Sequence, residues 1–137
     1  MAYYQDLAPL DYFGARHATK LRAVGWLSRD CEYPTGNVDR ATFERLAELL
    51  RDPWQPTNCM GVFGCELCRF APEAHGARNL FVPSEGVVFV CPELILHYMN
   101  AHGYVPPDQF CRALTACPDT RSLDYKRMLL KSGFRPE

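Results

Sequence analysis

"NLFVPSEGVVFVCPELILHYMNAHGY" (79–104) is the stretch from which the rest of the chain can be organised. Two apolar runs flank Ser84-Glu85-Gly86 and read as a β-hairpin with arms at 80–83 and 87–91. The loop is three residues long, and Gly86 suits its left-handed position. Pro83 falls at the end of its arm, where a missing N–H costs little. The run that follows predicts a helix from about residue 92 to residue 102. Pro92 fits the first helical position and Gly103 the position just past the end.

That helix carries His97 and His102, and a short knuckle, "GCELCRF" (64–70), precedes the hairpin. Its Cys65 and Cys68 are two residues apart, a spacing that lets one tight turn aim both sulfurs at one ion. Thiolate sulfur and imidazole nitrogen are the donors zinc prefers, and four of them complete its tetrahedron. At 100° per residue, His97 and His102 lie about 140° apart on a helix. Leu94, Tyr98 and Ala101 point into the arc between them, and Ile95 and Met99 lie just beyond His102. Both histidines therefore flank the face expected to pack inward, and Cys65, Cys68, His97 and His102 form the expected zinc site.

The order knuckle, hairpin, helix with two histidines resembles a Cys2His2 zinc finger. It departs in length: 28 residues separate Cys68 from His97, against about 12 in a DNA-binding finger. The loop at 69–79 accounts for the excess, and a finger's DNA-reading role does not follow. If one of the four is not a ligand, Cys91 or Cys59 is the substitute in reach, though both read first as small buried side chains. Cys31, Cys111 and Cys117 read as packing residues, and His17 and His75, in polar stretches, as solvated. A redox Cys-x-x-Cys would sit in a βαβ setting with its first cysteine at a helix N-terminus. Here a loop containing proline and glycine follows Cys68 instead.

The remaining elements are simpler. "LRAVGWLS" (21–28) suggests a short strand, with Val24, Trp26 and Leu27 in the core. "YPTG" (33–36) reads as a turn. Asp39 is a candidate N-cap for a helix whose Phe43, Leu46, Leu49 and Leu50 recur at helical spacing, with Val38 and Phe43 as a staple. Asp52-Pro53 ends it. "DQFCRALTAC" (108–117) predicts a helix capped by Asp108 and stopped by Pro118. A last helix, about 122–132, offers Leu123, Met128 and Leu130 for packing.

The chain has 137 residues, 47% apolar and 23% charged, with a formal net charge of −1. This suits one globular domain, with a zinc-finger-like core at about 59–105, and lacks the strongly basic face of an electrostatic nucleic-acid binder. The expected fold class is α+β. No apolar stretch is long enough to span a membrane, and the N-terminus shows no basic start followed by an apolar run. A cytoplasmic location is expected, where clustered cysteines, seven here, more often bind metal than form disulfides.

A closed Cys2His2 site keeps no position for water. The His-x-Glu and Pro-Cys-x-x-Cys pair of zinc deaminases is missing, as are a P-loop, an HExxH and a Gly-x-Ser-x-Gly. The reading leans against an enzyme; a small cysteine-dependent or redox enzyme is the chemical alternative. The helix bearing His97 and His102 has no lysine or arginine for reading bases. The C-terminal segment, with Arg121, Lys126, Arg127, Lys131 and Arg135, is the nucleic-acid alternative. The expected function is a binding or adaptor module contacting another protein. Tyr3, Tyr4, Tyr12, Phe13 and "HGYVPP" (102–107) are its candidate surfaces, read otherwise as packing.

The succession of "VGWL", "YPTG", a helix, "CELC", a hairpin and "LILHYMNAHGYVPPDQF" is similar to a family of small uncharacterised bacterial proteins. These share a Gly-Trp-Leu, a Pro-Thr-Gly, a Cys-x-x-Cys and a His-Tyr-x3-His-x-Tyr-x-Pro-Pro segment. The similarity covers residues 3 to about 114. It carries over Gly25, Trp26, Pro34, Thr35, Gly36, Cys65, Cys68, His97, His102, Tyr104, Pro106 and Pro107. The resemblance implies a bacterial cytoplasmic protein with a metal-like motif and no assigned activity.

Overall fold

The computed structural model describes residues 2–56 and 61–134. Its centre is the hairpin read from the sequence, β4 (Asn79–Pro83) and β5 (Val88–Pro92), paired in antiparallel register from Asn79 opposite Pro92 to Pro83 opposite Val88. The loop closes by Ser84 N–H donating to the Val87 carbonyl at 3.0 Å. All ten strand residues are buried, which is why their sequence is a near-continuous apolar run without polar alternation. Each large apolar side chain there contributes about 1.5–3 kcal/mol by leaving water. The short β1 (Leu21–Ala23) joins the other side of β5 in parallel, giving the order β1-β5-β4. Trp26 is buried and donates its indole N–H to the Val90 carbonyl at 2.9 Å.

Among the described residues there are four α-helices besides the sheet: α1 (Arg40–Leu50), α2 (Ile95–His102), α3 (Asp108–Ala116) and α4 (Leu123–Lys131). The fold class is α+β. Asp39 caps α1 by accepting from the N–H groups of Ala41 and Thr42. Leu46, Leu49 and Leu50 bury its inner face, with Phe43 and Val38 half-buried against the core. Helices α3 and α4 pack on β4, and α1 packs on α3. A separate two-stranded ribbon, β2 (Phe63–Gly64) with β3 (His75–Gly76), carries the cysteine knuckle in its loop.

Several expectations are corrected. Pro92 does not open α2: it ends β5 opposite Asn79, and Glu93 N–H then bonds the Arg78 carbonyl. The helix begins at Ile95, three residues late. Asp108 lies in the first turn of α3 and makes no cap bond; Pro107 holds the cap position. "YPTG" is no tight turn. Thr35 bridges Tyr104, and bonds from Gly36 N–H to the Gly103 carbonyl and from Val105 N–H to the Pro34 carbonyl make it a strap along the end of α2. Leu123 and Leu130 are exposed, and α4 packs instead through Tyr125 and Leu129. Ala101 is also exposed, so the inward face of α2 is Ile95, Tyr98 and Met99. His17 is half-buried with its ring edge-on to Phe134, and was not expected there; His75 is exposed, as expected.

Candidate metal centre

The two cysteines reach the site from β2. Cys65 follows that strand directly, and its N–H donates to the Ala74 carbonyl at 3.0 Å, closing the loop around the knuckle. Gly64 is needed at the base of this loop. A Cβ there would lie 2.8 Å from Pro72, closer than packed atoms can approach. The backbone N–H groups of Leu67 and Cys68 point at the Cys65 sulfur, and Glu73 N–H lies 3.5 Å from the Cys68 sulfur. At Cys65 such donors favour the thiolate form. Arg29 fixes the loop from outside, donating to the Glu66 carbonyl at 2.7 Å and the Cys68 carbonyl at 3.5 Å.

The two histidines come from the last two turns of α2. Gly103 ends that helix in the left-handed conformation (φ 67°), and its N–H and that of Tyr104 both return to the Tyr98 carbonyl. The Tyr33 hydroxyl donates to the His102 carbonyl at 3.2 Å. Behind this turn, buried Tyr104 donates its hydroxyl to the Asp6 carboxylate, at 2.8 and 2.9 Å from its two oxygens. The C-terminal end of α2 is thereby tied to both the 33–36 strap and the N-terminal segment. The rings of His97 and His102 lie 5.0 Å apart between centroids at 77°, so neither blocks the other.

The ligand atoms of Cys65, Cys68, His97 and His102 lie within 4.8 Å of one another. Cys65 Sγ is 3.5 Å from His102 Nε2, and Cys68 Sγ is 3.3 Å from His97 Nε2 and 3.7 Å from His102 Nε2. A tetrahedral ion with zinc's usual sulfur and nitrogen bond lengths separates the two donor types by about 3.6 Å. Three of the four sulfur–nitrogen distances straddle that edge length. Cys65 and Cys68 are buried, and both histidines are half-buried. Burial lowers the His102 pKa and His97 lowers it further, with Glu73 opposing them. That favours the neutral imidazole a metal requires. Burial pushes the Cys65 thiol up, and Cys68 adds to this, against the two backbone donors; a cation between the sulfurs would reverse that balance.

A family model described as a domain of unknown function (DUF7919) matches residues 2–115. The chain belongs to the DUF7919 family. The matched residues of this DUF7919 chain span the sheet and all four cluster residues, and end before α4. No curated protein and no solved structure matches the chain.

Of the substitutes considered for the DUF7919 site, Cys91 lies on β5 opposite Leu80, fully buried and outside the cluster. Cys59 lies outside the described residues. Burial pushes up the thiols of Cys91, Cys111 and Cys117, the last to about 12, which is the reverse of an activated nucleophile. Cys65 follows a strand and no helix starts at the knuckle, so the helix N-terminus of a redox pair is missing there.

Two contributors were not readable from spacing. Glu73, five residues past Cys68, supplies the N–H to its sulfur. Glu93 ties the ribbon to the hairpin: its carboxylate accepts from Ala77 N–H at 2.5 Å and Arg78 N–H at 2.9 Å, and pairs with the Arg78 guanidinium at 3.3 Å. Gly76 leaves room for it, since a Cβ there would sit 2.4 Å from Glu93 Cγ.

Proposed function

We propose that Cys65, Cys68, His97 and His102 hold one structural zinc ion and that the domain is a binding module for another protein. The observation that carries the metal reading is that three sulfur–nitrogen distances of 3.3–3.7 Å, with all four ligand atoms within 4.8 Å of one another, join residues from two segments far apart in sequence. Two thiolates and two imidazoles with ligand atoms within 4.8 Å of one another suit zinc better than the oxygen-seeking cations. With four protein donors the site is closed, which fits a staple and not a catalytic centre. Elemental analysis of protein purified without added zinc tests this, beside a Cys68→Ser/His97→Ala double variant. The expected result is one zinc per parent chain, lost with stability in the variant. A metal-free, well-folded parent would contradict it.

Of the aromatic N-terminal residues, Tyr3 is exposed and stays available to a partner, whereas the others pack against the core. Tyr4 and Tyr12 pack on Trp26 and Phe13 packs on Phe81, while Tyr104 of "HGYVPP" is fully buried. The exposed large apolar residues nearest the metal centre in sequence are Val62 and Phe70, 69% and 85% exposed, on either side of the knuckle. Phe70 stacks against the Arg69 guanidinium, 5.5 Å from its ring centroid. Aromatic and arginine side chains are enriched where proteins meet, and these support a protein-facing knuckle. On the basic C-terminal segment, Arg121 pairs with Asp52 and Arg127 with Asp124, while Lys126 and Lys131 make no ion pair among the described residues; the formal net charge of −1 is what favours a protein partner over nucleic acid. Phe70→Ser is expected to abolish partner binding while leaving zinc content unchanged.

A further inference from the structure

Away from the metal centre, a cavity of about 590 Å³ opens between Trp54 and α4. Small-molecule sites run from roughly 300 to 1,000 Å³. Its walls are mainly apolar, from Trp54, Tyr125, Leu123, Leu129 and Leu130, with the hydroxyl residues Thr120 and Ser122 beside them. Leu123 and Leu130 are 60% and 44% exposed, so α4 spends two leucines on this space and not on the core. The floor is rigid. Trp54 rests edge-on against Phe81 and Phe134, and the Tyr125 hydroxyl is held by the Phe81 carbonyl.

The charges around the cavity are unequally satisfied. Arg121 lines it, but Asp52 already holds its guanidinium at two points, 2.5 and 2.6 Å. Asp124, the acid on α4 nearest the mouth in sequence, pairs with Arg127. Lys126 also lines the cavity and makes no ion pair among the described residues. An apolar cavity with one uncompensated cation is complementary to an apolar body bearing one negative charge.

We propose that this cavity binds a small amphipathic carboxylate, with its hydrocarbon portion against Trp54 and α4 and its carboxylate on the Lys126 ammonium. A paired ammonium and carboxylate at a part-exposed site is worth up to about fivefold in affinity, and the apolar walls supply the rest. The site is independent of the metal reading, since none of its residues touches the Cys2His2 cluster.

Trp54 makes the test direct. Decanoate, kept below its micelle-forming concentration, is titrated into the 137-residue chain with tryptophan emission as the readout. Decanol and acetate serve as controls for the chain and the charge alone. A saturable emission change is expected with decanoate, about fivefold weaker binding with decanol, and none with acetate. Lys126→Gln, at an exposed position, should weaken decanoate about fivefold and leave decanol unaffected. In Trp54→Phe the emission change should vanish. No saturable change, equal binding of decanoate and decanol, an unaltered Lys126→Gln protein, or a change that persists in Trp54→Phe would each overturn the proposal.

Discussion

The hairpin β4–β5 and the ribbon β2–β3 are both antiparallel pairs, yet they are held in different ways. The hairpin pairs five residues with five, every one buried. The ribbon pairs two with two, and Phe70 and Val62 beside it are largely exposed. A two-residue ladder with so little burial cannot pay for its own ordering entropy. Its loop is instead closed by Arg29, by N–H bonds to two sulfurs, and by the convergence of those sulfurs on two imidazoles. The hairpin is stabilised by removing carbon from water, the ribbon by directional polar bonds and, on our reading, by metal.

That contrast can be broken at several points. The largest effect is expected from Phe81→Ala. Phe81 is fully buried and contacts the rings of Phe13, Trp54 and Phe134. Its loss should cost about 3–5 kcal/mol, measured by denaturant unfolding, and should destabilise the chain with or without metal. A cost under 1 kcal/mol would mean that the sheet is not the main source of stability.

Cys68→Ser should act locally. Hydrogen exchange is expected to rise across residues 61–76 while amides in β4 and β5 stay protected, with a smaller global loss than for Phe81→Ala. Uniform exchange across both pairs would show that they unfold as one unit.

Glu93 sits on the seam. Burial pushes its carboxyl up, but the Arg78 and Ala77 N–H groups and the Arg78 guanidinium more than offset this and hold it below the usual range. Its folded pKa is depressed, so its stabilisation is present above the unfolded value of about 4.3 and is lost as pH falls through the lower folded value. Glu93→Gln should cost about 1–2 kcal/mol at neutral pH, the scale of a hydrogen bond to a charged acceptor. It should also flatten acid unfolding below about pH 4.3. An unchanged pH profile would remove Glu93 from the seam.

Asp6 gives the smallest expected effect, with the opposite sign. Burial raises its pKa, and the Gly25 N–H and the Tyr104 hydroxyl only partly counter it. Its contribution is therefore fullest below the unfolded value near 3.9 and is lost as pH rises through the folded one. Asp6→Asn keeps an acceptor for both donors, and should leave neutral-pH stability within about 1 kcal/mol of the parent while removing this decline. A large loss at neutral pH would show that the charge itself is required.

The Cys2His2 cluster was legible because its signals are local: Cys-x2-Cys and His-x4-His are spacings within a turn and within a helix. The hairpin was legible because a double-sided buried strand must be apolar throughout. Features set by distant partners were not. Pro92 looks like a helix start by preference, but the ladder to Asn79 claims it first. "YPTG" has the residues of a turn, and Tyr104, far along the chain, draws Thr35 into a bridge. In α4 nine residues leave the helical phase ambiguous, and the chain buries Tyr125 and Leu129 while leaving Leu123 and Leu130 at the cavity.

X-ray absorption at the zinc edge tests the central claim most directly, because it counts donor types around the ion. The account predicts a first shell of two sulfurs at about 2.3 Å and two nitrogens at about 2.0–2.1 Å. Three or more sulfurs would mean that a third cysteine has displaced a histidine. A shell of oxygen and nitrogen alone would show that Cys65 and Cys68 do not hold the metal, and would contradict the staple.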